Sequence, residues 1–126
     1  MKPATREWVK KAENDFETAL ALTRRKRLLT ESICFHCQQC VEKYLKARLE
    51  EAGKHIPRTY DCEALLNELL PLEPLWVPWK KALARLSDYA IRVRYPGAMA
   101  TEAEAKQALK DSKAVRKEVR LSLGIR

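Results

Sequence analysis

The chain has 126 residues, 46% of them hydrophobic and 33% charged, with only 3 glycines. That length suits one hydrophobic core, and so little glycine favours helices over a sandwich or barrel. No apolar run approaches the roughly 20 residues of a membrane span, while 25 Lys and Arg against 17 acids leave a charge of +8 that suits RNA, nucleotides or an acidic partner.

Met1 to Glu7 leads straight into a charged amphipathic pattern rather than a signal peptide, so a cytoplasmic protein is expected. A first helix is expected from Pro3 to Arg25, because Trp8, Ala12, Phe16, Ala19 and Leu20 recur at steps of three and four. The run Arg24-Arg25-Lys26-Arg27 falls at its C-terminal end, where cations complement exposed carbonyls without any ligand. A second helix starts near Thr30 or Ser32 and stops at Gly53, a residue suited to a left-handed cap. Ile33, Cys37, Val41, Tyr44 and Arg48 share one face of it, and Cys34, Gln38, Leu45 and Leu49 an adjoining one. So wide an arc belongs to a helix with neighbours on two sides.

After the loop Lys54–Tyr60, Asp61 caps a short helix containing Leu65, Leu66, Leu69 and Leu70. Pro71, Pro74 and Pro78 then mark an ordered connector, with Leu75 and Trp76 expected to be pinned to the core. A fourth helix runs from about Pro78 to Val93 on Trp79, Leu83, Leu86, Tyr89 and Ala90, and Pro96-Gly97 ends it. Thr101 and Glu104 read as the capping box of a last helix, whose inner stripe is Ala105, Ala108, Ser112, Val115 and Val119 and which Gly124 closes. These elements predict a single all-α domain over residues 1–126, an up-and-down antiparallel four-helix bundle with one short additional helix. Trp and Tyr at its edge would suit self-association.

The residue types that carry chemistry are few. Cys34, Cys37 and Cys40 resemble the start of an iron–sulfur motif, but Tyr44 and Leu45 occupy the region where another Cys followed by Pro is needed. On one helix the three thiols fan apart at roughly 100° per residue. With Cys62 they read as small apolar packing residues in a reducing compartment, and no metal or cofactor is expected. Of the two histidines, His36 lies mid-helix and reads as packed or surface rather than as a general base, and His55 lies in a loop.

The corner Arg92-Val93-Arg94-Tyr95-Pro96-Gly97 is the main candidate site. Guanidinium groups fork to phosphates and a tyrosine ring stacks on a base. Against this, Arg92 could cap carbonyls or pair with Asp88, with Tyr95 packed under the loop. Glu42, Lys43 and Lys46 form a possible matching polar edge, although Glu42 and Lys46 at i, i+4 are also an ordinary surface pair.

The chain resembles the HEPN family, small helical modules named for nucleotide binding in higher eukaryotes and prokaryotes. The likeness rests on Trp8-x3-Ala12-x2-Asp15, the stretch Phe35 to Ala47, Arg94-Tyr95-Pro96 and the closing Ala105 to Val119 helix. It implies a helical bundle that forms a homodimer, with a polar cleft near the seam and a small nucleotidyltransferase as partner, in a toxin–antitoxin couple or as a substrate-binding subunit. Ribonucleases of the family carry an Arg, four to six residues and then a His near the fourth helix. The corresponding segment Arg92–Thr101 holds no His, and Arg48-x6-His55 meets the spacing in the wrong segment. The leading expectation is a module that binds a nucleotide or RNA phosphate through Arg92, Arg94 and Tyr95, with Glu42, Lys43 and Lys46 opposite. The alternatives are a metal-independent ribonuclease using Arg48 or Arg94 with His55 or His36, and a structural bundle that binds only a protein partner.

Overall fold

The computed structural model describes residues 1–92, 95–97 and 99–126. Its helices are α1 (Pro3–Thr23), α2 (Thr30–Glu51), α3 (Cys62–Leu69), α4 (Lys80–Arg92) and α5 (Glu102–Ser122), with a 3₁₀ segment at Pro74–Trp79 between α3 and α4. No strand occurs among the described residues. The molecule is all-α, an up-and-down bundle of four long helices with α3 inserted. None of its described helices is long and apolar enough to cross a membrane.

Local chemistry explains most of the ends. Pro3 opens α1, where its missing N–H costs nothing. Asp61 accepts from the amides of Glu63 and Ala64 at 3.0 and 3.2 Å. The Thr101 hydroxyl accepts from Glu104 N at 3.0 Å, and the Glu104 carboxylate accepts from Thr101 N at 3.1 Å, which completes the expected capping box. Gly53 takes φ +70°, and Lys54 N then reaches back to Leu49 O at 3.0 Å to close α2. Thr30 does not cap α2. Its hydroxyl donates instead to Ala100 O at 2.6 Å, tying the start of α2 to the corner before α5.

Helix α2 is the hub, packed chiefly on α1 and α5 and also on α3 and α4. Its Ile33, Cys34, Cys37, Cys40, Val41, Tyr44, Leu45 and Leu49 are all buried in the core. Lys2 and Thr5 bind the Glu51 carboxylate at 3.0 and 2.9 Å, so the foot of α1 meets the end of α2. Arg48 donates to Ser122 Oγ at 2.8 Å, so α2 and α5 finish at the same end and run parallel. All four thiols are free and buried, and burial pushes Cys34 and Cys62 up to about 12 and Cys37 to about 11. They serve as packing groups.

Three expectations change. Helix α1 ends at Thr23, so Arg24 is its cap and Arg25, Lys26 and Arg27 stand beyond it in the 24–29 link, past the turn that a macrodipole argument covers. Pro78 and Trp79 belong to the 3₁₀ segment, and α4 starts at Lys80. Trp76 is buried at 6% exposure as expected, but Leu75 is 89% exposed, because the tight 3₁₀ turn places adjacent side chains on different faces. Val93, the expected last residue of α4, lies outside the described residues.

A polar clamp joins helices that have little packing of their own, α1 and α5. Arg116 grips Glu13 through Nε and Nη2, both at 2.7 Å, and its guanidinium lies 4.6 Å from the Phe16 ring centroid. The Tyr44 hydroxyl of α2 donates to the same carboxylate and accepts from Arg120 at 3.1 Å. Burial alone would raise the Glu13 carboxyl. Hydrogen bonds from Arg116 and Tyr44 and the charges of Arg116 and Arg120 outweigh it and hold the group below its ordinary 4.5. A depressed folded value gives stability that is present above 4.5 and lost as pH falls through the folded value. Glu13→Gln is expected to cost about 1–2 kcal/mol near neutrality, since the clamp is partly open to water, and to flatten the loss of stability in acid. Urea midpoints of both proteins at about pH 7 and about pH 3 check this, and parallel acid losses would refute it.

Candidate functional site

The expected corner is only partly available to a ligand. Arg92, at the end of α4, has Nη2 at 2.6 Å from Glu104 Oε2 and Nε at 2.8 Å from Asp88 Oδ2, with its guanidinium 5.2 Å from the Tyr89 ring centroid. The Nε approach is an ion-pair contact without hydrogen-bond alignment. The hydrogen bond from Arg92 holds the Glu104 carboxyl below its ordinary value, a sign of a committed pair. Of the two expectations for Arg92, the geometry has the guanidinium facing two carboxylates, Asp88 among them. Arg94 lies outside the described residues. Tyr95 is 65% exposed rather than packed under the loop, so its ring is open to stacking.

The hollow nearest Asp88 does not suit a phosphate. It encloses about 450 Å³ between the 59–63 segment and α4, and Asp61, Glu63 and Asp88 all line it. An anion entering it would meet carboxylates.

Glu42, Lys43 and Lys46 come from one side of α2, but they face inward partners rather than the corner. Lys46 Nζ sits 2.9 Å from Glu42 Oε2, with both residues under a tenth exposed, and 5.6 Å from the Trp8 ring centroid. Gln38 and Gln39 donate to the other Glu42 oxygen at 3.3 and 3.4 Å, and Gln38 also reaches Tyr60 O at 2.7 Å. This is a buried pair and not the surface pair that i, i+4 spacing suggests. Lys43 Nζ meets Asp15 Oδ2 at 2.5 Å. Arg92 pairs with Glu104 in the first turn of α5, next to Ala100, which holds Thr30 at the start of α2, and Glu42 lies twelve residues further along α2, about 18 Å along the axis. Among the described residues, the two halves of the expected site thus share no partner.

The pair that matched the ribonuclease spacing is also divided. Arg48 is held by Ser122 and by Glu73, whose Oε2 lies at 3.3 Å, while His55 is exposed in the loop after α2. The histidine that acquires a defined geometry is His36. Asp15 Oδ1 lies 2.8 Å from its Nδ1, and the same carboxylate holds Lys43 through Oδ2. Sequence reading had Asp15 in a motif but not its partners, because i, i+4 spacing says nothing about contacts between helices.

An uninterrupted run of exposed positive charge lies elsewhere. Arg24, Arg25, Lys26 and Arg27 are all exposed, and none forms an ion pair or side-chain hydrogen bond among the described residues. The 24–29 link sits at the end of the bundle where Thr30 holds Ala100, so it shares that end with Tyr95. Leu28 also lines a small hollow with Glu102 and Lys106 of α5.

The HEPN domain family model matches residues 5–122, nearly the whole chain. The chain belongs to the HEPN family. Its fold is similar to the crystal structure of TT1696 from Thermus thermophilus, at 23% identity and a TM-score of 0.80, over 94% of this chain and 98% of that one. No curated protein matches it. In this HEPN protein the stretch Phe35 to Ala47 supplies the buried polar row of α2 rather than an open cleft. Lys46→Ala would leave the Glu42 carboxylate buried, with only two glutamine donors. A loss of about 3 kcal/mol is expected, and Glu42→Gln/Lys46→Met should recover most of it. Chemical denaturation of the two variants decides this, and a loss below about 0.5 kcal/mol for Lys46→Ala would mean that the pair is effectively solvated.

Proposed function

We propose that this HEPN protein is a non-catalytic binding module, a homodimer that holds the phosphates of a nucleotide or RNA and works with a small nucleotidyltransferase in a reducing cytoplasm. The observation that carries the reading is the run Arg24, Arg25, Lys26 and Arg27, exposed, without acidic partners among the described residues, and at the end of the bundle that presents Tyr95. The other site cations are spoken for: Arg92, Lys43, Lys46 and Arg48 each face a carboxylate. A phosphate approaching the 24–29 link therefore displaces only water and counterions, and it releases those counterions to bulk solvent. The Tyr95 ring would add a stacking surface that tolerates any base. Family membership supports the homodimer and the nucleotidyltransferase partner, as toxin–antitoxin couple or substrate-binding subunit.

Fluorescence anisotropy with a labelled single-stranded RNA, and competition by ATP, test the reading. Binding should weaken as salt rises, and replacing Arg24, Arg25, Lys26 and Arg27 together by serine should lower the slope of log K against log salt by up to about 3. Tyr95→Ala should cost about 1–3 kcal/mol of RNA affinity with the slope unchanged. No binding of either ligand at low salt would end the proposal.

One observation favours a second reading, a metal-independent ribonuclease. A carboxylate only accepts hydrogen bonds, so Asp15 draws the imidazole proton of His36 to Nδ1 and leaves Nε2 as a base. That ring is partly exposed, and Nε2 has no protein partner among the described residues. This reading expects RNA cleavage that persists in chelator, vanishes in His36→Gln and survives His55→Ala and Arg48→Ala. Intact RNA after long incubation at high protein concentration would remove it.

A further inference from the structure

The end of the bundle away from the 24–29 link carries a surface of the opposite character. There the 3₁₀ segment and the last turns of α5 enclose a groove of about 570 Å³. Leu75 and Leu121, 89% and 59% exposed, stand over it. Trp76 and Trp79 stack at 4.8 Å to form its floor, and Pro74 and Pro78 limit the backbone freedom of the segment that supplies it. Leu72 and Val77 beside it are exposed as well. A contiguous apolar surface on a rigid support is the usual mark of a recognition site.

Charge identifies the occupant. On a chain of net charge +8, the ionisable groups lining this groove are two acids, Glu73 and Glu118, and no cation among the described residues lines it. Glu73 is already paired with Arg48, but Glu118 is exposed and makes no ion pair among the described residues. Such a groove offers a phosphate no cation among its described lining residues, so it gives nucleic acid no anchor. A second copy joined groove to groove would bring two Glu118 carboxylates into one seam, with no cation among the described lining residues to meet them.

We propose that this groove docks an amphipathic helix of a different protein, whose apolar side chains enter between Leu75 and Leu121 and whose flanking Lys or Arg meets Glu118. The mode is a helix laid in a hydrophobic groove, with the rim charge setting orientation and choice of partner. This deepens the partner half of the proposed function by naming the chemistry of the partner's segment, and it is independent of the phosphate half. The two surfaces lie at opposite ends of α5, whose 21 residues span roughly 31 Å, so both could be occupied at once.

Two synthetic helical peptides with the same leucine and tryptophan anchors, one flanked by lysines and one by glutamates, are titrated calorimetrically into the full chain. The lysine peptide should bind at least tenfold tighter. Glu118→Lys should reverse that preference, and Leu121→Asp and Leu75→Asp should abolish binding. Both leucines are exposed, so the melting temperature should not move. Equal affinity for the two peptides, or no binding of either, would overturn the inference. So would a dimer, seen by sedimentation, that Leu121→Asp dissolves, because the groove would then hold a second copy. Leu121→Asp must leave RNA binding intact, and the four-serine variant must still bind the lysine peptide. Capture of a nucleotidyltransferase from native cells that is unaffected by Leu121→Asp would sink the groove while leaving the partner reading standing.

Discussion

A helix surrounded by other helices must find a partner for every polar group it carries, and α2 is that helix. Its apolar residues face α1, α3, α4 and α5, so the polar residues left over lie in narrow seams rather than in open water. An unpaired charge there would cost several kcal/mol. Glu42 takes Lys46, Lys43 takes Asp15, Gln38 reaches Tyr60, and Tyr44 joins the Glu13 clamp. The burial of one helix thus dictates where most of the site-like residues point.

The same accounting decides what is left for ligands. The seams commit the carboxylates of Glu13, Asp15, Glu42 and Glu104, and the cations that meet them are committed too. At the two ends of the bundle the surfaces left over differ, a run of four exposed cations at one and an acid-lined apolar groove at the other, while further exposed lysines are spread along α1 and α5. That difference between the ends is what the proposed two-partner reading rests on. It also changes the meaning of the family signature. The Phe35 to Ala47 stretch is conspicuous in the sequence because it solves the packing of a central helix, and its charged members are fixed internally.

Much of the fold was legible before any coordinates. The T-x-x-E box at Thr101, the Asp61 cap and the glycine after α2 are local devices, and each formed as its chemistry requires. The wide arc on α2 announced a central helix. Boundaries near prolines were less legible, since Pro78 suits the first turn of an α-helix but here lies inside the 3₁₀ segment, whose Trp76 is buried in the core. The exposure of Leu75 followed from that placement.

The site was legible in residue type and illegible in pairing. Arg92, Tyr95, Glu42, Lys43 and Lys46 were singled out by chemistry, yet whether a guanidinium greets a ligand or a carboxylate depends on residues far away in the chain. Glu104 stands twelve positions from Arg92, and Asp15 stands twenty-eight from Lys43. Periodicity, caps and composition are properties of neighbours along the chain, so the sequence by itself determined the helices, their order and the excess of positive charge. Which charges cancel is a property of neighbours in space. Only the tertiary structure decided that the Arg24 to Arg27 run stays free while Arg92 does not, because helix packing alone brings a particular acid within reach.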